Sequence, residues 1–169
     1  MIQNDLMPLP PLEIGDFIPP FAMHDDGGKK REINLFAGRP CILCFLPHLK
    51  EDYMAAFSKL YREKMAEIQS YNPWVVLIST LPETQIADFK AKHQIEQGIL
   101  LDKNSALARA FGVGDGIAKS PLSIILSANQ QIVTYCNDPK PENHMQDMIQ
   151  KLKFICQAPE IWSSFRVSF

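Results

Sequence analysis

The sequence predicts an α/β fold in which a central mixed sheet of about five strands is flanked by helices and preceded by an N-terminal hairpin. Two continuous apolar runs, Cys41–Leu46 and Trp74–Ile78, are typical of strands buried on both faces. Between them, apolar residues recur at spacings of three and four, which predicts a helix over Glu51–Ser70. Further on, Leu122–Leu126 and Gln131–Tyr135 flank a short polar turn and predict an antiparallel pair.

The remaining elements follow from shorter patterns. Asp25–Gly28 indicates a turn, because glycine adopts positive φ without strain. This turn separates an extended segment over Phe17–Met23 from a return strand over Arg31–Ile33. Pro19 and Pro20 restrict the extended segment to an edge of the sheet, because proline cannot donate to a strand ladder. Periodicity and helix-end residues then predict a helical turn at Leu35–Gly38, a helix at Pro82–His93, a strand at Ile99–Leu101, a helix at Ser105–Phe111 and a last helix at Pro141–Ile155.

Length and charge limit the classes of function. The 169 residues fit one domain, and we expect an extended arm over residues 1–11, a domain over 12–156 and an apolar tail over 157–169. Seventeen basic and nineteen acidic residues, without blocks of like charge, give no electrostatic reason to expect nucleic acid or membrane as a partner. The apolar runs are too short to cross a bilayer, and the first fifteen residues lack a secretory pattern. Four irregularly spaced cysteines favour a reducing compartment, so we expect a cytoplasmic protein.

Four segments of the sequence occur in an order and spacing that resemble those of a known family. They are Leu12–Pro19, Gly38–Pro47, Leu100–Val113 and Pro121–Leu126. Over roughly residues 12 to 155 the chain resembles the peroxiredoxins, the alkyl hydroperoxide reductase and thiol-specific antioxidant branch of the thioredoxin fold. The resemblance implies a thioredoxin-like fold of the peroxiredoxin type.

The family's peroxidatic motif, Pro-x-x-x-Thr-x-x-Cys, is degenerate in this chain. Counting from Pro47 places Glu51 at the Thr position and Met54 at the Cys position. The arginine that assists the family's thiolate falls at Pro121. Peroxide reduction needs a thiolate, and a thioether has no proton to lose, so Met54 cannot act as that nucleophile. Glu51 and its neighbour Asp52 would also raise the pKa of a nearby thiol.

The Cys-x-x-Cys motif of thioredoxin-type relatives is also missing from its usual place. Aligned from Phe45, its two positions hold Lys50 and Tyr53. In those relatives a cis proline precedes the later strand and faces the active site. Ser120–Pro121 resembles that position, and the resemblance implies a cis bond there.

The chain's own cysteines are the remaining candidates for thiol chemistry. Cys41 and Cys44 form a literal Cys-x-x-Cys, but it lies within a predicted strand, where three residues span roughly 10 Å and the two side chains point to opposite faces. Cys44 lies nearer the active-site loop and is the better candidate for a displaced nucleophile, although we expect both to be buried. Cys136 and Cys156 flank the last helix, and Cys156 resembles the family's resolving-cysteine tail.

Other polar residues near the loop have structural interpretations. His48, Glu51 and Asp52 lie close together after the first strand, but no further His or Cys with ligand spacing completes a metal site, so we expect no metal and no cofactor. His93 lies on the apolar side of its helix and is predicted to be packed or capping. Lys119 could reach the mouth of the degenerate site.

Two functions remain open from the sequence. In the first, the fold persists as a non-catalytic binding or dimerisation module, with a second copy or another protein as its partner. In the second, the chain is an active thiol peroxidase or thiol–disulfide oxidoreductase that uses a displaced cysteine, Cys44 before Cys41. The missing nucleophile, hydroxyl and cation favour the first.

Overall fold

A computed structural model describes residues 11–32 and 38–157 of the chain. The predicted α/β fold is confirmed as a mixed sheet with helices on both faces. The predictions for residues 1–10, for Ile33 and Leu35–Ala37, and for residues 158–169 concern residues outside the described part. None of the helices within the described part is long and apolar enough to cross a membrane.

Within residues 11–32 and 38–157, the sheet has seven strands. They are β1 Ala22–Asp25, β2 Lys30–Glu32, β3 Cys41–Phe45, β4 Trp74–Ser79, β5 Ile99–Leu101, β6 Leu122–Leu126 and β7 Ile132–Cys136. Their order is β2-β1-β5-β4-β3-β6-β7, in which β3, β4 and β5 run parallel and all other pairings are antiparallel. The sheet exceeds the expected five strands because β1 of the N-terminal hairpin pairs with β5, so the hairpin extends the central sheet.

Four α-helices in the described part of the chain cover the sheet. They are α1 Glu51–Gln69, α2 Glu83–His93, α3 Ala106–Ala110 and α4 Pro141–Gln157. The apolar faces of α1, α2 and α4 share one core cluster with one face of the sheet, and α3 packs with the other face. Helices on both faces explain why β3 and β6 are buried along their whole length.

The structure corrects two local predictions, one for the segment before β1 and one for the peptide bond before Pro121. The segment over Phe17–Met23 is a strand only from Ala22 onward, because the prolines before it cannot donate, and Phe17 forms a single bridge with Gln131. The expected edge position is wrong, since this strand lies between β2 and β5. The Ser120–Pro121 bond is trans, since no cis peptide occurs in the described residues. Trans is the lower-energy isomer, and the cis expectation came only from relatives with a Cys-x-x-Cys site.

Candidate functional site

Residues 47–54 lie at the start of α1, where the chain leaves the central strand β3. The N–H of Leu49 donates to the carbonyl of Ala118 at 2.9 Å, and the N–H of Lys50 donates to that of Pro47 at 2.9 Å. The first bond holds the loop against the segment before β6, and the second closes a turn within the loop. The first residue of β6 pairs with Phe45, so Pro121 lies beside the end of β3.

Met54 occupies the first turn of α1 with no exposed surface. Its N–H donates to the carbonyl of Lys50 at 2.9 Å, which begins the helical hydrogen-bond ladder. The side chain belongs to the core cluster between α1 and the sheet. The sulfur at this position therefore packs as an apolar group.

Glu51 is paired with the end of α2. Its carboxylate lies 2.5 Å from Nζ of Lys92, and this hydrogen bond holds the pKa of Glu51 below its ordinary value. Both side chains are more than half exposed, so the pair contributes little to stability. The same carboxylate lies 3.9 Å from Nε2 of His93. The contacts of Glu51 with Lys92 and His93 join residues 41 and 42 positions apart and have no signal in the sequence.

His93 is packed, as the sequence predicts. Its ring stands edge-on to Phe89 at a centroid distance of 4.8 Å, and burial lowers its pKa despite the nearby carboxylate of Glu51. His48 is half-buried, and burial lowers its pKa too. Asp52 and Lys119 are exposed. Across the described ranges, no three His, Cys, Asp or Glu side chains come together as a possible metal site.

Cys41 and Cys44 lie on opposite faces of β3, as predicted, because they belong to the two separate core clusters. Both are free thiols with at most 2% of their surface exposed. Burial raises the pKa of Cys41 to about 12 and that of Cys44 to about 11. At neutral pH both thiols therefore remain protonated.

Cys44 is part of a buried polar row that the sequence did not reveal. Antiparallel pairing places Ser123 opposite Cys44, and Cys136 opposite Ser123. The hydroxyl of Ser123 and Nε2 of His144 form a hydrogen bond of 2.8 Å, with both residues at most 1% exposed. The ring of His144 stands edge-on to Tyr53, and burial lowers its pKa, which keeps it neutral. The Ser123–His144 hydrogen bond is thus a core contact that a substrate cannot reach, and Nδ1 of His144 has no side-chain hydrogen-bond partner within the described residues.

Cys136 and Cys156 have different surroundings. Cys136 is buried, and burial raises its pKa. Cys156 is exposed near the end of α4, and its Sγ lies 3.8 Å from the carbonyl of Tyr71, just beyond the C-terminus of α1. The 19 residues of α1 span about 28 Å. Cys156 therefore lies at the opposite end of α1 from Met54.

Asp102 is a further structural residue whose role sequence reasoning missed. It is 2% exposed and accepts hydrogen bonds from the N–H groups of Leu107 and Ala108, both at 2.9 Å. The carboxylate thereby satisfies the free donors of the first turn of α3. The sequence signal that could have indicated this role is the position of Asp102 within Leu100–Val113, one of the four segments that resemble the family.

Comparison with known proteins agrees with this architecture. The model of the AhpC/TSA family matches residues 14–135. The chain belongs to the AhpC/TSA family. Peroxiredoxin Bcp of Escherichia coli is 25% identical over 153 residues, which cover 85% of this chain and 97% of that protein. Among solved structures, peroxidoxin BcpB of Mycobacterium tuberculosis has a TM-score of 0.74 at 20% identity and covers 85% of this chain and 98% of its own. Peroxiredoxin Q of Xanthomonas campestris has a TM-score of 0.70 at 19% identity, with 86% and 97% covered.

Family membership confirms the predicted peroxiredoxin-type thioredoxin fold. In this AhpC/TSA chain, the residues that align with the family's peroxidatic motif lie in the loop before α1 and in its first turn. At that position the structure places Glu51 and Met54, with Pro121 beside the end of β3.

Proposed function

We propose that this AhpC/TSA chain is a peroxiredoxin-fold module that has lost the peroxidatic cysteine and acts without thiol catalysis, by binding or by dimerisation. The buried thioether of Met54 in the first turn of α1 is the observation that carries the proposal. A peroxidatic residue needs an ionisable sulfur that a peroxide can reach. The thioether of Met54 cannot ionise.

The surroundings of Met54 support the same conclusion. Glu51 stands where the family has a hydroxyl that contacts the site, and its carboxylate is bound to Lys92. Pro121 stands where the family has a guanidinium, so it supplies no cation. Position 54 therefore lacks both the hydroxyl and the guanidinium that accompany the family's thiolate.

The alternative is an active thiol peroxidase or thiol–disulfide oxidoreductase that uses Cys44. Its support is the family itself, since the relatives are named peroxiredoxins. Against it stand the burial of Cys44 within β3 and its raised pKa. Cys41 has the same disadvantages on the other face of the strand.

Thiol oxidation by hydrogen peroxide distinguishes the two functions. The reduced full chain is mixed with peroxide, and free thiols are counted over time beside the variants Cys44→Ser and Cys156→Ser. We expect only slow loss, and the Cys156→Ser variant should remove most of it because Cys156 is the exposed thiol among the described residues. A fast loss of one thiol that disappears in Cys44→Ser would establish the peroxidase instead.

We further propose that the module is cytoplasmic and has a second copy or another protein as its partner. The support is the charge and cysteine content and the exposed apolar side chains of Leu49 and Val113, which are 59% and 37% exposed. Sedimentation of the full chain tests self-association. A single monomeric species at high micromolar concentration would exclude the second copy.

A further inference from the structure

A cavity of about 450 Å³ opens between α1 and the segment that follows α2. Apolar side chains line most of it, including Leu46, Met54, Phe57, Met65 and Leu77. Pockets for small ligands have volumes of about 300–1,000 Å³ and combine apolar walls with a few polar groups. The cavity has the size and the walls of such a site.

Two hydrogen-bond donors on α1 line the same cavity. Ser58 is 5% exposed, and among the described residues its buried Oγ has no hydrogen-bond partner. Arg62 follows one helical turn later, which places the two side chains side by side on the helix surface. Nη1 of Arg62 donates to the carbonyl of His93 at 2.8 Å. This bond orients the guanidinium and leaves most of its five N–H donors available.

The other polar wall is already satisfied. The side-chain oxygen of Gln97 accepts from the hydroxyl of Tyr61 at 2.7 Å, and its nitrogen donates to the carbonyl of Val75 at 2.5 Å. Gln94 and Glu96 also line this wall, and the Glu96 carboxylate disfavours negative charge beside it, so an anionic group is expected on the α1 side of the cavity. On the α1 wall of the cavity, the polar groups that can donate to a ligand are Ser58 and Arg62.

We propose that this cavity binds a small monocarboxylate amphiphile, such as a medium-chain fatty acid. The carboxylate accepts hydrogen bonds from the Ser58 hydroxyl and the Arg62 guanidinium, which match its two oxygens. The alkyl chain packs against Met65, Phe57 and Leu77. The inference rests on the proposed non-catalytic role and gives that role a ligand class.

Methionine methyl NMR of the full chain tests the site. Decanoate is added below its aggregation concentration to protein with ¹³C-labelled methionine methyl groups, and Met65→Leu assigns one resonance. We expect saturable shifts of Met54 and Met65, which line the cavity, and none of Met23, which lies in the core cluster on the other face of the sheet. Unchanged Met54 and Met65 resonances, or equal shifts of all three, would overturn the site.

Two variants and one matched ligand test the carboxylate contact. Arg62→Gln keeps an amide donor for the His93 carbonyl but loses the charge, so decanoate affinity should fall about tenfold while decanol affinity stays unchanged. Ser58→Ala should weaken decanoate by a few-fold. Equal decanoate affinity in Arg62→Gln and the unmodified chain would overturn the carboxylate assignment.

The two proposals can fail separately. A peroxide-reactive Cys44 would overturn the non-catalytic role whatever decanoate does at the cavity. Silent Met54 and Met65 resonances would overturn the binding site and leave the thiol measurement as it stands.

Discussion

The alkylation rate of Cys44 is a quantitative measure of how inert the thiol is in the folded chain. The perturbation is exposure of the native protein to iodoacetamide, which reacts with the thiolate. A pKa of about 11 leaves about one Cys44 in 10,000 ionised at neutral pH, against about three in 100 for an ordinary cysteine. Ionisation alone therefore slows Cys44 by about 300-fold, and its burial within β3 slows it further.

The denatured chain provides the matched reference. Mass spectrometry of quenched samples gives the alkylated fraction of Cys44 in native protein and in protein unfolded by urea. We expect a native rate at least about 300-fold below the unfolded one. The native rate should also rise about tenfold for each pH unit above neutral, whereas the unfolded rate should level near the ordinary thiol pKa.

A small difference would refute this reasoning. If native Cys44 reacts within about tenfold of its unfolded rate, its pKa is near that of an exposed thiol. Burial in β3 would then not protect the Cys44 thiol, and Cys44 would again be the main candidate for the nucleophile of a thiol peroxidase. The alkylated fraction of the exposed Cys156, measured in the same samples, shows whether the reagent was active.

Three further predictions concern the buried polar contacts. Asp102→Ala should lower the free energy of unfolding by about 2–3 kcal/mol, measured by urea denaturation, because two N–H groups lose a carboxylate acceptor. Ser123→Ala should lower the free energy of unfolding by about 1–3 kcal/mol, because Nε2 of His144 loses its hydrogen-bond partner. Ser58→Ala should leave the free energy of unfolding unchanged, because the Ser58 hydroxyl has no partner among the described residues. Burial lowers the pKa of His144, so as the pH falls below about 6.5 the imidazole is protonated in the unfolded chain before it is protonated in the folded chain. The free energy of unfolding should therefore fall by up to about 1.4 kcal/mol per pH unit in that range. His144→Gln should reduce that pH slope, whereas Ser123→Ala, which retains the imidazole, should keep it.

The sequence was sufficient for the order and type of the elements because their apolar periodicity is strong. Glu51–Ser70 is predicted from spacings of three and four, and the observed α1 differs by one residue at its end. Cys41–Leu46 is predicted as a strand buried on both faces, and all five residues of β3 are buried. Local patterns determine such elements because each buried face must be apolar in register.

The parts of the site that the sequence did not predict depend on contacts between distant segments. The pairing of β1 with β5, which extends the sheet, joins residues about 75 positions apart. The Glu51–Lys92 bond crosses from α1 to α2. The helical spacing of Ser58 and Arg62 is visible in the sequence, but the cavity also needs the segment after α2 as its second wall. Long-range contacts leave no periodic trace in the chain.

The placement of the cysteines adds a geometric argument against thiol turnover. A disulfide needs Cα atoms within about 7 Å of each other. Cys41 and Cys44 are separated by about 10 Å along β3 and face different clusters. Cys44 and Cys136 are separated by two strand spacings, also about 10 Å, with Ser123 between them.

An oxidised Cys44 would therefore find no resolving thiol among the neighbouring described cysteines unless a central strand moved. Such a movement would break the β3 ladders to both β4 and β6 and open the core on both faces of the sheet. Catalysis at Cys44 would then require an external reductant to reach a residue that is 2% exposed. The position of Cys44 in the middle of the sheet is thus compatible with a packing role, and the cost of exposing it is close to that of unfolding the domain.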